Sequence, residues 1–205
     1  MSQLADSIIT GPLVFQTVPT EKAAALIYVP GMGWMEWVEV SGTGAYQGYR
    51  TLRCGALEFG TTTAPRSYEA DLVGGLGSKT SQASIWAWAQ QNGHAVAAAA
   101  WSTKVFKFAD VDANTFRFPD LRDVFARFAG TDADTGQAMA LGSYKADTLK
   151  AHAHSTGYGV ISQGGYGSNQ GGTFASAGYP GTSTTSTGSA ETAPKHTAFM
   201  PRIHI

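Results

Sequence analysis

An uncharged stretch of 36 residues constrains this chain more than any other feature of its sequence. From Ser155 through Ala190 there is no Asp, Glu, Lys or Arg, and 10 of the residues are Gly. The motif Lys150-Ala-His152-Ala-His154 stands directly before this stretch, and the charged segment 191–196 follows it. We therefore expect a folded frame on both sides of one unusual insert, residues 155–190.

The frame is expected to be mainly β-structure with one short helix. Charged residues make up only 14% of the 205 residues, whereas Gly occupies 25 positions, which is typical of a turn-rich β-protein. The net charge of −1 offers no basic surface to attract nucleic acid. The longest apolar runs, Ala23–Val29 and Ala95–Trp101, are far shorter than the roughly 20 residues of a membrane-spanning helix. We expect neither a nucleic-acid partner nor a transmembrane segment.

Local patterns predict several strands before the insert. Residues 24–29 favour a strand, 30–33 contain a Pro-Gly turn signal, and 34–40 favour the return strand of a hairpin. A further strand pair is predicted within 49–59, and 65–77 is predicted to be irregular. Alternating apolar residues predict strands at 105–108 and 115–118.

The one predicted helix covers residues 81–92. Ala, Gln and Trp fill it, and either Ser81 or Ser84 could cap its amino end. Gly93 stands where a left-handed residue often ends a helix. The single cysteine, Cys54, is expected to be a small buried apolar residue rather than a nucleophile.

Three segments resemble those of phage tail-fibre and tail-collar proteins. The first is Phe116-Arg-Phe-Pro119-Asp120-Leu-Arg122, which resembles the family's Pro-Asp-Leu-Arg signature. The second, Gly142 to His154, resembles its Gly-Ser…Asp…Lys-x-His-x-His segment. The third, Glu191 to Met200, resembles its Glu-Thr-Arg-Pro-Lys-Asn-x-Ala segment, with Ala193 and His196 in place of the usual Arg and Asn. The three motifs occur in the family's order between residues 114 and 205.

The resemblance implies an intertwined parallel homotrimer at the tail-fibre tip of a virion or of a phage-tail-like bacteriocin. It would consist of a leading segment at 1–22 that ends the fibre shaft, a globular collar-like domain at 23–140, and a slender tip at 141–205 with a returning C-terminal strand. The expected function is adhesion to a bacterial surface glycan, lipopolysaccharide first among them, and a fibre-assembly chaperone is a possible partner. Structural roles are expected for Pro119, Asp120, Arg122, Glu191, Pro194 and Lys195.

The histidine pair is the predicted metal site. In an extended strand His152 and His154 point to the same face, but two imidazoles do not complete a metal shell. Three copies around a three-fold axis would supply six nitrogens, an octahedral set that suits iron first and then nickel, cobalt or zinc. In similar fibres such pairs bind metal along the axis. The alternative is an exposed His pair without metal.

The insert is predicted to bind the receptor. Gly, Ser, Asn and Tyr are frequent in binding loops, aromatic rings stack on sugar faces, and an uncharged surface suits a neutral glycan. The alternative is a linker without fixed structure. The residues predicted to contact the receptor are Tyr158, Gln163, Tyr166, Asn169, Gln170, Phe174 and Tyr179.

No catalytic motif stands out, and the chain is expected not to be an enzyme. A glycan depolymerase needs paired carboxylates, but the acids of this sequence are scattered and the insert has none. That activity and a purely structural collar role remain the two alternatives to adhesion. Two other metal candidates fail. The segment beginning at Asp110 starts like a calcium loop but has Thr115 and Leu121 where Gly and Glu are required, and Asp132 and Asp134 are expected to support a turn.

Overall fold

The computed structural model describes residues 13–131, 133–134, 136–146 and 196–205. The chain divides into two compact units: unit 1 comprises Met1–Tyr144 with Thr197–Ile205, and unit 2 comprises Lys145–His196. All helices and strands of the described residues belong to unit 1. Unit 1 is mainly β with one α-helix in its described part, as the sequence predicts.

The first sheet is antiparallel and contains β1 (Leu26–Val29), β2 (Gly33–Val40) and β3 (Tyr46–Thr51) in that order. The predicted β1–β2 hairpin is confirmed, and its turn depends on the positive φ angles of Gly31 and Gly33. A small core forms beneath this sheet from Ile27, Val29, Met35 and Tyr49.

The second sheet joins distant parts of the sequence. Its strands are β4 (Leu57–Gly60), β5 (Glu69–Asp71) and β12 (Met200–His204), in the order β4-β12-β5, with both pairings antiparallel. The predicted pairing within residues 49–59 is therefore wrong, because β3 pairs with β2 and β4 pairs with β12. The prediction of irregular structure at 65–77 is also wrong, since β5 and β6 (Leu76–Ser78) lie there.

The third sheet has the order β6-β9-β8-β7, with β7 (Ala95–Ala97), β8 (Phe108–Asp110) and β9 (Thr115–Arg117). β7 and β8 run parallel, and the other pairs are antiparallel. The strand predicted at 115–118 is confirmed. The strand predicted at 105–108 instead begins at Phe108, because Lys104 has a φ of 68° and a tight turn joins Lys107 N–H to the Val105 carbonyl.

The predicted helix is present as α1 (Ala83–Gln91). Its start differs from the prediction: the residue before it is Gln82, and no side chain caps the helix. Ser78 is the serine that binds this turn, since its hydroxyl accepts the N–H groups of Thr80 and Ser81. The end is as predicted, because Gly93 has a φ of 67° and the next residue donates back into the helix.

The main core lies between α1 and the second and third sheets. Trp86 of α1 stacks on Phe116 of β9 with ring centres 5.2 Å apart, and Phe108 and Phe118 pack against the same ring. The buried residues of this core are Ala70, Leu72, Ile85, Trp86, Ala89, Phe108, Phe116, Phe118 and Ile203. A short 3-10 helix (Ala98–Ala100) and a separate hairpin of β10 (Gly130–Thr131) and β11 (Ala138–Met139) complete the described elements. None of the described helices has the length and apolar character to cross a membrane.

Candidate functional site

Unit 2 interrupts unit 1 in the sequence, and most of the predicted site falls within it. The chain leaves unit 1 after Tyr144 and re-enters it at Thr197. The predicted metal ligands His152 and His154 lie outside the described residues, as do all seven predicted receptor-binding residues from Tyr158 to Tyr179 and the predicted structural residues Glu191, Pro194 and Lys195. The structure describes the two places where unit 1 holds the chain before and after this segment.

Before the segment, the Pro119–Arg122 corner fixes the chain to the main core. Pro119 is fully buried, and its carbonyl accepts the Gly74 N–H at 3.1 Å. Asp120 forms an isolated bridge with Val73, and its carbonyl accepts the Lys104 N–H at 2.7 Å. These main-chain bonds connect the corner to two other segments. The predicted structural role of Pro119 is consistent with this burial.

Side chains of the same corner form the predicted ion pair. Arg122 Nε and Nη2 donate to the two carboxylate oxygens of Asp120 at 2.9 and 2.6 Å, a bidentate arrangement. These hydrogen bonds hold the pKa of the Asp120 carboxyl below its ordinary value. Asp120 is buried whereas Arg122 is mostly exposed, so the arginine covers the carboxylate from the solvent side. The predicted tie between the two residues is confirmed.

After the segment, β12 returns between β4 and β5 and carries the most deeply buried charge of the described residues. The side chain of Arg202 is only 1% exposed. Its Nε donates to Asp71 Oδ1 at 2.8 Å, and Nη1 lies 3.3 Å from Glu69 Oε2. Nη1 and Nη2 also donate to the hydroxyl and carbonyl oxygens of Thr62. Two carboxylates and one threonine thus hold the returning strand.

Gly60 makes room for this arginine. A Cβ atom at this position would lie 2.8 Å from the guanidinium carbon, closer than real side chains approach. The importance of Arg202 was not predicted from the sequence. The available signal was a charged residue inside the short apolar strand Met200-Pro-Arg-Ile203, which requires a buried counter-ion when the strand is central.

Two histidines that looked isolated in the sequence are buried in unit 1. His204 stacks on Tyr68, and its Nδ1 lies 3.0 Å from the Thr51 hydroxyl, which itself donates to the Ile205 carbonyl. Since that hydroxyl has one hydrogen, Nδ1 of His204 is the donor of the pair. His94 stacks on Trp88. Burial lowers the pKa of both histidines, so both favour the neutral form.

The remaining candidates for chemistry are structural. Asp112, in the calcium-loop candidate, accepts the N–H groups of Asn114 and Thr115 and the Thr115 hydroxyl, so it closes a turn. Cys54 is half-buried against the main core, and burial raises the pKa of its thiol to about 12, which makes the thiolate scarce. Within the described ranges, no group of three or more His, Cys, Asp or Glu side chains could hold a metal ion.

A shallow cleft of about 330 Å³ lies between α1 and β7. It is lined by Trp86, Gln90, Ala95, Val96, Ala97 and Asp110. Asp110 is the one acidic residue in this lining. Its Oδ1 accepts a hydrogen bond from Lys79 Nζ at 2.6 Å. The lining residues therefore do not form the carboxylate pair that glycan hydrolysis generally uses.

No protein-family model, curated protein or solved structure matches this chain. The function must therefore be inferred from the residues themselves.

Proposed function

We propose that this chain is a tail-fibre adhesin that binds a bacterial surface glycan, lipopolysaccharide first among them, and so begins host attachment. It acts as a homotrimer at the fibre tip of a virion or a phage-tail-like bacteriocin. The insert 155–190 contacts the receptor, and His152 and His154 of the three copies hold a transition metal on the trimer axis. A fibre-assembly chaperone assists its folding.

The observation that carries this proposal is that a long segment leaves one compact unit and returns to it. Unit 1 contains both Tyr144, where the chain leaves, and Thr197, where it comes back. The corner at Pro119–Arg122 and the buried Arg202 fix the chain on the two sides of the segment. A compact unit that holds the chain before and after a long segment is an arrangement that binding proteins use to present a recognition loop.

The composition of the presented segment supports a glycan as its ligand. Residues 155–190 carry no charge and include four aromatic side chains among Gly, Ser, Thr, Asn and Gln. Tyr and Phe rings can cover the apolar faces of sugar rings, and the amide side chains can bind hydroxyl groups in the plane of the ring. Several trimers on one particle would raise the avidity of a weak individual contact.

The histidine pair suits a metal role rather than receptor contact. Two imidazoles per chain become six in a trimer, a number that fills an octahedral shell. Iron is the first expectation, with nickel or zinc next. A metal bound by all three copies would fix the chains to one another at the start of the insert, because each chain would contribute ligands to the same ion.

Receptor binding is tested with purified trimers on a glycan array and on host cells. We expect binding to lipopolysaccharide-type glycans, and we expect it to fall when Tyr158, Tyr166 and Tyr179 are changed together to Ala. Intact trimers that bind no bacterial surface would contradict adhesion and support a structural collar. Release of reducing sugar from purified polysaccharide would instead support a depolymerase.

The metal is tested by elemental analysis of the same trimers. We expect close to one transition-metal ion per trimer and its loss when His152 and His154 are changed to Ala. The control for loss of a histidine as such is His196→Ala, because His196 is exposed. His94→Ala and His204→Ala are unsuitable because both side chains are buried and their removal would disturb the fold. A wild-type trimer without metal would refute this part of the proposal.

A further inference from the structure

One exposed apolar surface of unit 1 lies at the edge of the second sheet, on the face that packs against the main core. Leu57 and Phe59 of β4 pair with Ile203 and Pro201 of β12, so these side chains share a face. Ile203 is fully buried in the main core, but Leu57 and Phe59 lie at the sheet edge and are exposed. Phe199 packs edge-on against Phe59, with ring centres 6.1 Å apart. We name Leu57, Phe59 and Phe199 the edge patch.

A second apolar surface follows the Pro119–Arg122 corner. Phe125 and Phe128 precede the hairpin of β10 and β11 and Leu141 follows it; in the described residues this hairpin is a two-stranded sheet of its own. We name these three residues the arm. Phe128 is 99% exposed, which is unusual for so large an apolar side chain in a soluble protein. The other exposed fractions are Leu57 56%, Phe59 73%, Phe199 51%, Phe125 56% and Leu141 72%.

Two different apolar surfaces on one chain suit a closed ring of identical copies. In a cyclic trimer each copy meets one neighbour through one surface and the other neighbour through a different surface. The edge patch and the arm supply such a pair. A two-fold dimer could pair both surfaces as well, with each arm on the partner's edge patch, but only a ring of three copies gives a covalent trimer when these surfaces are cross-linked.

The exposed area agrees with the size of a stable interface. At roughly 150–250 Å² for a large apolar residue, the six fractions leave on the order of 700 Å² of surface exposed. A stable interface buries about 1,200–2,000 Å² in total, of which about 56–65% is apolar. One edge patch against one arm therefore provides about the apolar share of one such contact, and surrounding polar residues provide the remainder.

Two ion pairs lie near the two surfaces in the sequence. Glu58, between the two β4 residues of the edge patch, is paired with Arg53 at 2.7 Å. Asp120 and Arg122, at the start of the arm, neutralise each other. Burial of the apolar side chains would leave these pairs intact, so it would bury no unpaired charge from either group.

We infer that the arm of each copy binds the edge patch of a neighbouring copy and that this contact closes the trimer around unit 1. The inference rests on the homotrimer proposed above and adds the surfaces that form it. It needs no residue of the insert and no metal, because all six side chains belong to unit 1.

The inference is tested by the double variant Phe59→Cys with Phe128→Cys under mild oxidation. A disulfide forms only where two Cα atoms approach within about 7 Å. We expect covalent dimers and trimers of the double variant on a non-reducing gel, and mainly unlinked chains for each single variant. The wild type is the control for Cys54, whose scarce thiolate should not cross-link.

The outcomes separate this contact from the trimer itself. Wild-type trimers whose double variant stays unlinked, or links only within one chain, would overturn the inference and leave the proposed function standing. A monomeric wild type would overturn the contact together with the proposed homotrimer. Single variants that link as well as the double variant would show a symmetric contact of like surfaces and would also overturn it.

A charge exchange tests the same contact without cysteines. Phe59→Lys or Phe128→Glu alone should lower the temperature at which trimers dissociate, whereas the combination should recover part of the loss because opposite charges would meet. Leu76→Ser is the matched control, since Leu76 is 61% exposed on β6 and belongs to neither surface. An equal loss in the control, or no recovery in the combination, would overturn the inference.

Discussion

The parts of unit 1 that precede and follow unit 2 in the sequence, here the departure side and the return side, are packed differently. On the return side, β12 lies between two strands, and its Arg202 is buried among Asp71, Glu69 and Thr62. On the departure side, the corner ends in an ion pair whose arginine is 63% exposed, and the arm beyond it presents Phe128 to solvent. The return side is thus packed inside unit 1, whereas the departure side carries the exposed side chains from which we infer a contact between chains.

The largest expected effect comes from removing the buried charge of the return side. Arg202→Ala would remove the cation of Asp71 and the buried cation of Glu69, which keeps only the largely exposed Arg66 at 3.6 Å. Loss of one partner from a buried ion pair costs about 3–5 kcal/mol in the free energy of unfolding. Urea denaturation followed by circular dichroism measures the change. Replacing Arg202, Glu69 and Asp71 together by Leu should recover much of the loss, since no carboxylate then lacks its partner. An Arg202→Ala variant as stable as the wild type would contradict the assigned role.

The second prediction concerns Gly60, whose missing side chain leaves room for Arg202. Gly60→Ala would place a methyl group 2.8 Å from a guanidinium that is fixed by several hydrogen bonds, so overpacking should cost about 1–3 kcal/mol. Gly75→Ala is the matched control, because its Cβ would meet no atom within 4 Å. Equal urea midpoints for the two variants would show that Arg202 can move aside.

The third prediction is that acid lowers the stability of the fold through His204 on the return side. The pKa of His204 is lowered in the folded state, chiefly by burial and then by Arg53, while Glu58 and Glu69 oppose the shift. Below pH 6.5, its ordinary pKa, the unfolded chain binds more protons, so stability should fall as pH falls through the folded pKa. His204→Asn should reduce this dependence in thermal melts between pH 7.5 and 5. An unchanged slope would contradict it.

The smallest effect is expected at the corner of the departure side. Arg122→Ala removes the largely exposed side chain that covers the Asp120 carboxylate, so water can reach and solvate that carboxylate in the variant and the net loss should be small. The unfolding temperature should change by an amount close to the precision of the melt. A loss as large as that of Arg202→Ala would show that the two sides are held equally, and the comparison would then fail.

Features encoded by neighbouring residues were predictable. The β1–β2 hairpin follows from β-forming residues on both sides of a Pro-Gly turn, and α1 with Gly93 follows from composition and a helix stop signal. The Asp120–Arg122 pair also lies within three residues. In each case the partners are close enough in sequence for their spacing to define the geometry.

Features formed by distant residues were not predictable in the same way. The partner of β4 is β12, not the adjacent β3, and no local signal at residues 57–60 indicates a strand that begins at Met200. The sequence predicts Ser81 or Ser84 as the amino-terminal cap of α1, and this is wrong. Gln82 precedes the first helical residue, and the Ser78 hydroxyl accepts hydrogen bonds in the turn before it. The metal and receptor residues lie outside the described part of the chain, so those predictions remain predictions.

The central position of β12 also determines when the second sheet can form during synthesis. Roughly 130 residues separate β5 from the end of β12, and at about 5–20 residues per second a ribosome needs on the order of ten seconds to make them. Until then β4 and β5 lack their common partner, and the guanidinium that Arg202 supplies to Glu69 and Asp71 is absent. Unpaired strand edges of this kind associate wrongly between nascent chains, which is a physical reason for a chaperone to act before the last strand is made.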